Sequence, residues 1–223
     1  MAGGDLIRRT PWDVAALGCD TFELADAGAQ AMAQVRGPGH YTVKVDPLSD
    51  KRALHENGFY YCDTLLEPYC TRERLAGATH PDATLTREAP LPDVLRICHG
   101  AFEHGRFHRD FHVPRESADR RYDNWLRQLH DAGRVVGLLH RGGLAGFIAA
   151  EDGKLVLHAV AQSHRGRGLA KFWWTALCRE LFAAGHREVT SSISAANLAA
   201  LNLYLSLGFR LHNPVDVYHR VIR

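Results

Sequence analysis

The stretch Leu155-Val156-Leu157-His158-Ala159-Val160-Ala161-Gln162-Ser163-His164-Arg165-Gly166-Arg167-Gly168-Leu169-Ala170 decides how this chain is read. Its apolar run, Leu155 to Ala161, predicts a strand. Beyond it, Leu169, Phe172, Trp173, Ala176, Leu177 and Leu181 recur at three- and four-residue steps, the period of one helix face. A strand that feeds a helix through a loop with two glycines suits a bound phosphate. Glycine lets the backbone come close, and the unpaired N–H groups of the first helical turn point at the anion. Arg165 and Arg167 add positive charge there. A plain tight turn fits the same residues. A Walker loop does not, because no Gly-Lys-Ser/Thr follows, and a dinucleotide fingerprint would need a third glycine and a later acidic residue.

Outward from this stretch, the turns Arg141-Gly142-Gly143 and Asp152-Gly153 predict strands over Val135–His140, Leu144–Ala150 and Leu155–Ala161. Before them, Pro92–Phe102 and Ser117–Ala132 read as helices, the second with Ser117 as N-cap. After them come a helix over Gly168–Ala184, a strand over Glu188–Ser194, a helix over Asn197–Leu207 and a last strand near Val215–Val221. Glu73–Thr86, small and polar, reads as a linker. Ahead of it lie strands at Phe22–Leu24 and Tyr41–Val45, a helix within Ala25–Val35, a helix over Ser49–Asn57 and a strand over Phe59–Leu66. Ala53-Leu54-His55-Glu56-Asn57-Gly58-Phe59 lines up with Leu203-Tyr204-Leu205-Ser206-Leu207-Gly208-Phe209. Residues 1–78 therefore read as a degenerate half-copy of residues 79–223, though helix-Gly-Phe is also a common helix ending.

The composition is that of an ordinary globular protein, with 46% hydrophobic and 23% charged residues. A formal charge of +2 gives no reason to expect nucleic acid as a partner. The five cysteines are scattered and never form Cys-x-x-Cys, so neither a zinc site nor a disulfide framework is expected. Met1–Trp12 lacks a leader-like apolar core and no segment is long enough to span a membrane, so the cytoplasm is the expected location.

Arg165-x-x-Gly168-x-Ala170 resembles the Q/R-x-x-G-x-G/A signature of the GNAT acetyltransferase superfamily. Asn197-x-x-Ala200-x-x-x-Tyr204-x-x-x-Gly208-Phe209 resembles its second landmark, at the right distance. The resemblance covers roughly residues 84–223. It implies an α/β (α+β) fold, a mixed, mostly antiparallel twisted sheet with flanking helices, here preceded by a truncated GNAT-like N-terminal domain. It also implies acetyl-CoA as co-substrate and a small-molecule amine as acceptor. Arg165, Gly166, Arg167, Gly168, Leu169 and Ala170 would hold the diphosphate, and the main chain of Ala159, Val160 and Ala161 the pantetheine arm, with Asn197 helping. Tyr204 would protonate the departing thiolate, its other reading being a core tyrosine. His158, two residues before Val160 and so on the same strand face, is a candidate base; a structural histidine is the other reading. A homodimer is left open.

Residues 104–122 carry five arginines and three histidines, the latter at His104, His108 and His112. Gly105 and Pro114 break any helix there, so the histidine spacing does not make a metal site. A solvated surface loop is one reading. The other is a cationic rim for an anionic substrate, since arginine grips phosphate with two prongs. A closer resemblance favours the rim. Pro11-Trp12-Asp13, Phe102–Phe107, Arg121-Tyr122 and Trp125 are similar to stretches of the bacterial N-acetyltransferases acting on dTDP-4-amino-4,6-dideoxygalactose (TDP-fucosamine). That likeness implies a nucleotide-linked amino sugar as acceptor and Arg106, Phe107, Arg121 and Tyr122 as substrate-binding residues. An aminoglycoside, a polyamine or a protein amine is the alternative acceptor. A non-catalytic coenzyme A-binding protein is the alternative class.

Overall fold

Four residues with positive φ fold the middle of the chain into a meander. Arg141 (52°) and Gly142 (79°) turn strand β6 (Val135–His140) into β7 (Gly143–Glu151), and Asp152 (46°) and Gly153 (79°) turn β7 into β8 (Lys154–Val160). Two successive left-handed residues match the twist of the strands they join. The computed structural model describes residues 6–223; residues 1–5 of the stretch read for a leader, and of the 1–78 unit, lie outside the described residues. No described helix is long and apolar enough to cross a membrane.

The second half of the expected linker is itself a strand. β5 (Ala83–Thr86) pairs antiparallel with β6 because that edge offers unpaired main-chain groups and a place for Ala83 and Leu85 in the core. Helices α4 (Leu91–Cys98) and α5 (Arg115–Asp131) cover one face of the meander through Val94, Leu126 and Leu129, against Phe147 and Leu157. α5 starts straight after Pro114, so Ser117 lies inside its first turn and accepts from Arg120 Nη2 at 3.0 Å instead of capping. Helix α6 (Ala170–Ala183) covers the other face with Trp173, Trp174 and Leu177, and strand β9 (Glu188–Ser191) follows. The buried face of α6 includes Trp174, Cys178 and Phe182, and is rotated from the stripe read in the sequence.

The first part of the chain runs β1 (Ile7–Arg9), α1 (Pro11–Leu17), β2 (Thr21–Leu24), α2 (Ala29–Ala33), β3 (Gly39–Val45), α3 (Arg52–Glu56) and β4 (Tyr60–Thr71). The last part runs β10 (Ile193–Ser194), α7 (Leu198–Ser206) and β11 (Arg210–Ile222). All eleven strands join in one sheet, ten of them in the order β1-β2-β3-β11-β4-β9-β8-β7-β6-β5, with β10 paired to β4 off that path. The pairs β2/β3 and β8/β9 are parallel. Thus β2-α2-β3-α3-β4 has the same order as β8-α6-β9-α7-β11.

The two helix–Gly–Phe endings match in detail. Gly58 (φ 72°) and Gly208 (φ 87°) are left-handed, Phe59 N–H donates to Leu54 O at 2.9 Å, and Phe209 N–H donates to Tyr204 O at 3.1 Å. Leu54 and Tyr204 are both fully buried. The strands that follow change places, β4 lying beside β9 and β11 beside β3. A boundary near residue 78 therefore cuts the chain but not the sheet.

Candidate active site

β8 and β9 pair only at Lys154↔Thr190 and Leu155↔Ser191 and then part. The chain beyond β9 turns to β4 instead, through Ile193↔Leu66 and Ser194↔Leu65. This leaves a slit between β8 and β10. In the first half, β2 and β3 stay paired from Thr21↔His40 to Leu24↔Val43, and no such slit opens.

A bulge sets what β8 presents to the slit. Leu157 faces Ala149 and Leu155 faces Ala150, so Val156 is an extra residue. The bulge reverses the phase of the strand: Leu155 points into the α6 core and Leu157 into the α4–α5 core. Ala161 N–H donates to Ala145 O at 2.8 Å, and the same register gives Ala159 to Phe147. Antiparallel pairs alternate, so Ala159 and Ala161 spend their peptide groups on β7, while His158 and Val160 turn theirs to the slit. Of the three residues expected to offer main-chain groups, Val160 alone does so, joined by His158. Val160 O already accepts from Arg165 Nε at 2.9 Å.

The loop after β8 is a short 3-10 turn, Gln162–His164, followed by Gly166 (φ 71°) and Gly168 (φ 69°). Arg165, Gly166, Arg167 and Gly168 are exposed. Leu169 stands before α6 without a side-chain cap, so the N–H groups from Ala170 onward meet no capping side chain. α7 is capped: Asn197 Oδ1 accepts from Ala200 N–H at 3.1 Å, which uses only the carbonyl end of the amide.

Tyr204 is enclosed in the core, against Phe209 and near Trp174, and its hydroxyl is 3.0 Å from His158 Nε2. Burial pushes the phenol well above its usual range and pushes His158 down to about 4. A hydrogen bond within the His158 residue itself, ring to main chain, works weakly the other way. Both side chains are therefore neutral near pH 7 and share this one hydrogen bond. This costs His158 its suitability as a base. Its ring nitrogen is occupied, and at a pKa near 4 it is a weak acceptor for an amine proton.

The four residues expected to bind substrate brace the fold. Arg121 Nε donates to Asp13 at 3.0 Å, and its guanidinium lies against Phe107, Tyr122 and Trp125. Arg106 stacks on Phe107 with its Nε buried and without a partner; burial, with Arg121 beside it, lowers its pKa. Phe107 packs on the rings of His40 and His219. Arg106 is enclosed, whereas Arg121 lines a cavity with Trp12, Asp13, Trp125 and Gln128. Of the three histidines in the segment, His108 donates to Asp119 at 2.8 Å.

A buried cluster not foreseen in the sequence pins this segment to the sheet. His40 Nε2 (3.1 Å) and His219 Nδ1 (2.7 Å) donate to Asp110 Oδ2, while Tyr60 O–H (2.9 Å) and His112 N–H (2.8 Å) donate to Oδ1. Against the opposing effect of burial, hydrogen bonds from His219, His40 and the His112 N–H hold Asp110 far below the usual carboxylate range, and burial lowers His219 to about 3. The members come from β3, β4, β11 and a loop, so no local spacing could have signalled them. With both oxygens of Asp110 occupied, the group is a hydrogen-bonded anchor.

A sheet parted after two parallel pairs, an uncapped helix start beside the parting and a capped second helix make up an arrangement shared with solved GNAT-fold structures. Residues 100–209 match the family model described as acetyltransferase (GNAT) family. A GCN5-related N-acetyltransferase from Sphaerobacter thermophilus is 18% identical, with a TM-score of 0.58 over 84% of this chain and 61% of that one. A tandem GNAT protein from the clavulanic acid biosynthesis pathway is 14% identical, with a TM-score of 0.56 over 92% and 76%. The spore coat polysaccharide biosynthesis protein SpsD of Bacillus subtilis (strain 168) is 24% identical over 132 residues, 56% of this chain. The chain spans about half the length of that curated relative, 46%. The fold is that of the GNAT acetyltransferases.

Proposed function

We propose that this protein transfers the acetyl group of acetyl-CoA to a primary amine of a small molecule. The observation that carries the reading is the slit between β8 and β10, with the glycine loop and uncapped start of α6 at its end. The diphosphate lies on residues 165–170, where the first-turn N–H groups and the charge of Arg167 meet it. The pantetheine arm follows the slit past the peptide groups of His158 and Val160, and the amino end of Asn197 faces it. The Val160 N–H meets the thioester oxygen, where negative charge grows as the amine attacks. A fixed donor there favours the transition state over the ground state.

Tyr204 supplies the proton to the departing thiolate. Its raised pKa keeps the hydroxyl protonated at working pH, and it acts by turning that hydroxyl from His158 to the sulfur. Tyr204→Phe lowers turnover and leaves acetyl-CoA affinity unchanged; an unchanged rate removes the acid role.

The acceptor we favour is an amino sugar, in its nucleotide-linked form. The support is the similarity to SpsD, a polysaccharide biosynthesis protein, and to the amino-sugar acetyltransferase stretches near Trp12, Phe102 and Arg121. With Arg106 and Arg121 turned inward, Arg109, about one third exposed, is the cation of that segment best placed for a diphosphate. Residues 1–78 are read as a truncated GNAT-like unit that contributes β4 and no second acyl site, since its parallel strands stay zipped. Coenzyme A release against free amino sugars, amino-sugar nucleotides and polyamines tests the acceptor. Release with the nucleotide-linked sugar alone is expected, and activity on polyamines alone overturns it.

A further inference from the structure

Asp63 lies on β4, in the part of the chain that holds no slit of its own, yet it reaches the slit through Ser194. Its Oδ1 accepts from Ser194 Oγ at 2.7 Å and from Arg109 Nη1 at 2.7 Å. Its Oδ2 is buried without a partner, and the residue is fully buried. Ser194 forms the far wall of the slit, because β10 pairs with β4 and not with β8. Ser194 comes three residues after Ser191, the last residue of β9 paired to β8, and so lies just past the point where the strands part.

The bonds of Ser194 leave one position open. A hydroxyl offers one proton and two lone pairs. The proton goes to Asp63, and one lone pair accepts from Ala196 N–H at 3.2 Å. The second lone pair has no donor among the described residues. Ser194 also lies on the opposite sheet face from α6: its neighbour Ile193 and that residue's partner Leu66 belong to the α6–α7 core, and side chains alternate. An acceptor entering from the α4–α5 side meets Ser194 Oγ without crossing the acyl carrier.

We propose that Ser194 and Asp63 form the proton relay that deprotonates the acceptor amine. This rests on the acetyl-transfer reading above. The ammonium donates an N–H to Ser194 Oγ, and as that proton moves to Oγ the hydroxyl proton moves to Asp63. The nitrogen lone pair then forms the C–N bond at the thioester carbonyl carbon, the C–S bond breaks and its electron pair leaves on sulfur. Serine ends as it began, and Asp63 carries the proton until solvent removes it. Ser194 touches the substrate; Asp63 acts through it. Burial raises the Asp63 carboxyl above its ordinary value despite the opposing pull of Ser194, Arg109 and Arg106, and Tyr122 of α5 also faces this group. A carboxylate with a free, poorly solvated oxygen is a better proton acceptor than one at the surface.

The test uses the whole chain, saturating acetyl-CoA and a nucleotide-linked 4-amino sugar as the acceptor, with coenzyme A release followed from pH 6 to 10. Asp63→Asn keeps an oxygen for Ser194 and Arg109 but cannot take a proton. Ser194→Ala removes the relay, and Ser194→Thr restores the hydroxyl. Asp63→Asn and Ser194→Ala are expected to lose about 100-fold at pH 7, the usual scale for a general base. They should recover towards wild type near pH 10, where the amine is already free, and Ser194→Thr should stay within a few-fold throughout. Acetyl-CoA affinity should not change. An equal loss at every pH, or none, overturns the relay. A wild type that does not bind acetyl-CoA overturns the underlying reading instead.

Discussion

Gly166 and Gly168 offer a direct test of the anion loop, because their surroundings separate backbone strain from crowding. Both are left-handed, at φ 71° and 69°, and a Cβ on either would meet nothing within 4 Å. Alanine there brings no clash, only the cost of holding an L-residue in that region, about 1–2 kcal/mol. The segment 165–168 is exposed and lightly bonded, so it relaxes to a cheaper conformation instead of unfolding the domain. Binding must then restore the original shape. A penalty of about 1–2 kcal/mol corresponds to a coenzyme A Kd raised about 5- to 30-fold for each single substitution, with little change in Tm. Isothermal titration with coenzyme A measures this, and pantetheine, which lacks the diphosphate, should lose nothing. Gly185 is the control: it is equally left-handed (φ 98°) and equally open, but sits at the far end of α6. Gly185→Ala should leave the Kd alone. Wild-type affinity in Gly168→Ala, or an equal loss in Gly185→Ala, would refute the placement of the diphosphate.

Two further outcomes are expected. Lowering the pH from 7 to 5 should destabilise the fold. The unfolded chain protonates its histidines near pH 6.5, whereas folded His219 resists down to about 3, so the unfolded state binds more protons across that window. His219 alone is worth about 2 kcal/mol at pH 5 by this linkage. Asp110, with its pKa depressed, adds to the loss only below about pH 4. Urea unfolding of wild type and His219→Asn at both pH values checks it, and an equal pH dependence in the two proteins counts against the assignment. Gly208→Ala should be far worse for stability than either loop substitution, by roughly 2–5 kcal/mol. It combines a left-handed residue with a Cβ 2.1 Å from the Arg74 carbonyl oxygen, which is main chain and cannot step aside. A chemical denaturation midpoint close to wild type would contradict this.

The local features of the site were legible because local forces make them. Glycines at positive φ, the turns at Arg141-Gly142 and Asp152-Gly153, the Asn197 cap and the period of α6 all depend on residues within a few positions of each other. The equivalence of Leu54–Phe59 with Leu203–Phe209 was equally readable, since one helix ending was written twice. Side-chain assignments that depended on partners far along the chain were not. Arg106 and Arg121 have the composition of a phosphate rim, but Phe107, Tyr122, Trp125 and Asp13 turn them inward. His158 has the ordinary chemistry of a base until Tyr204, 46 positions later, takes its nitrogen and burial lowers its pKa.

By itself the sequence determined a strand, a glycine loop and a helix over residues 154–183, because backbone torsions and amphipathic periods are local properties. Only the tertiary structure decided that β4 and β11 change places, that β8 parts from β9 after two residue pairs, and that Asp63 comes to lie against Ser194. The Ser194–Asp63 hydrogen bond spans 131 residues, and the strand pairing that brings the two together is set by the packing of whole faces, so no window of sequence contains both partners.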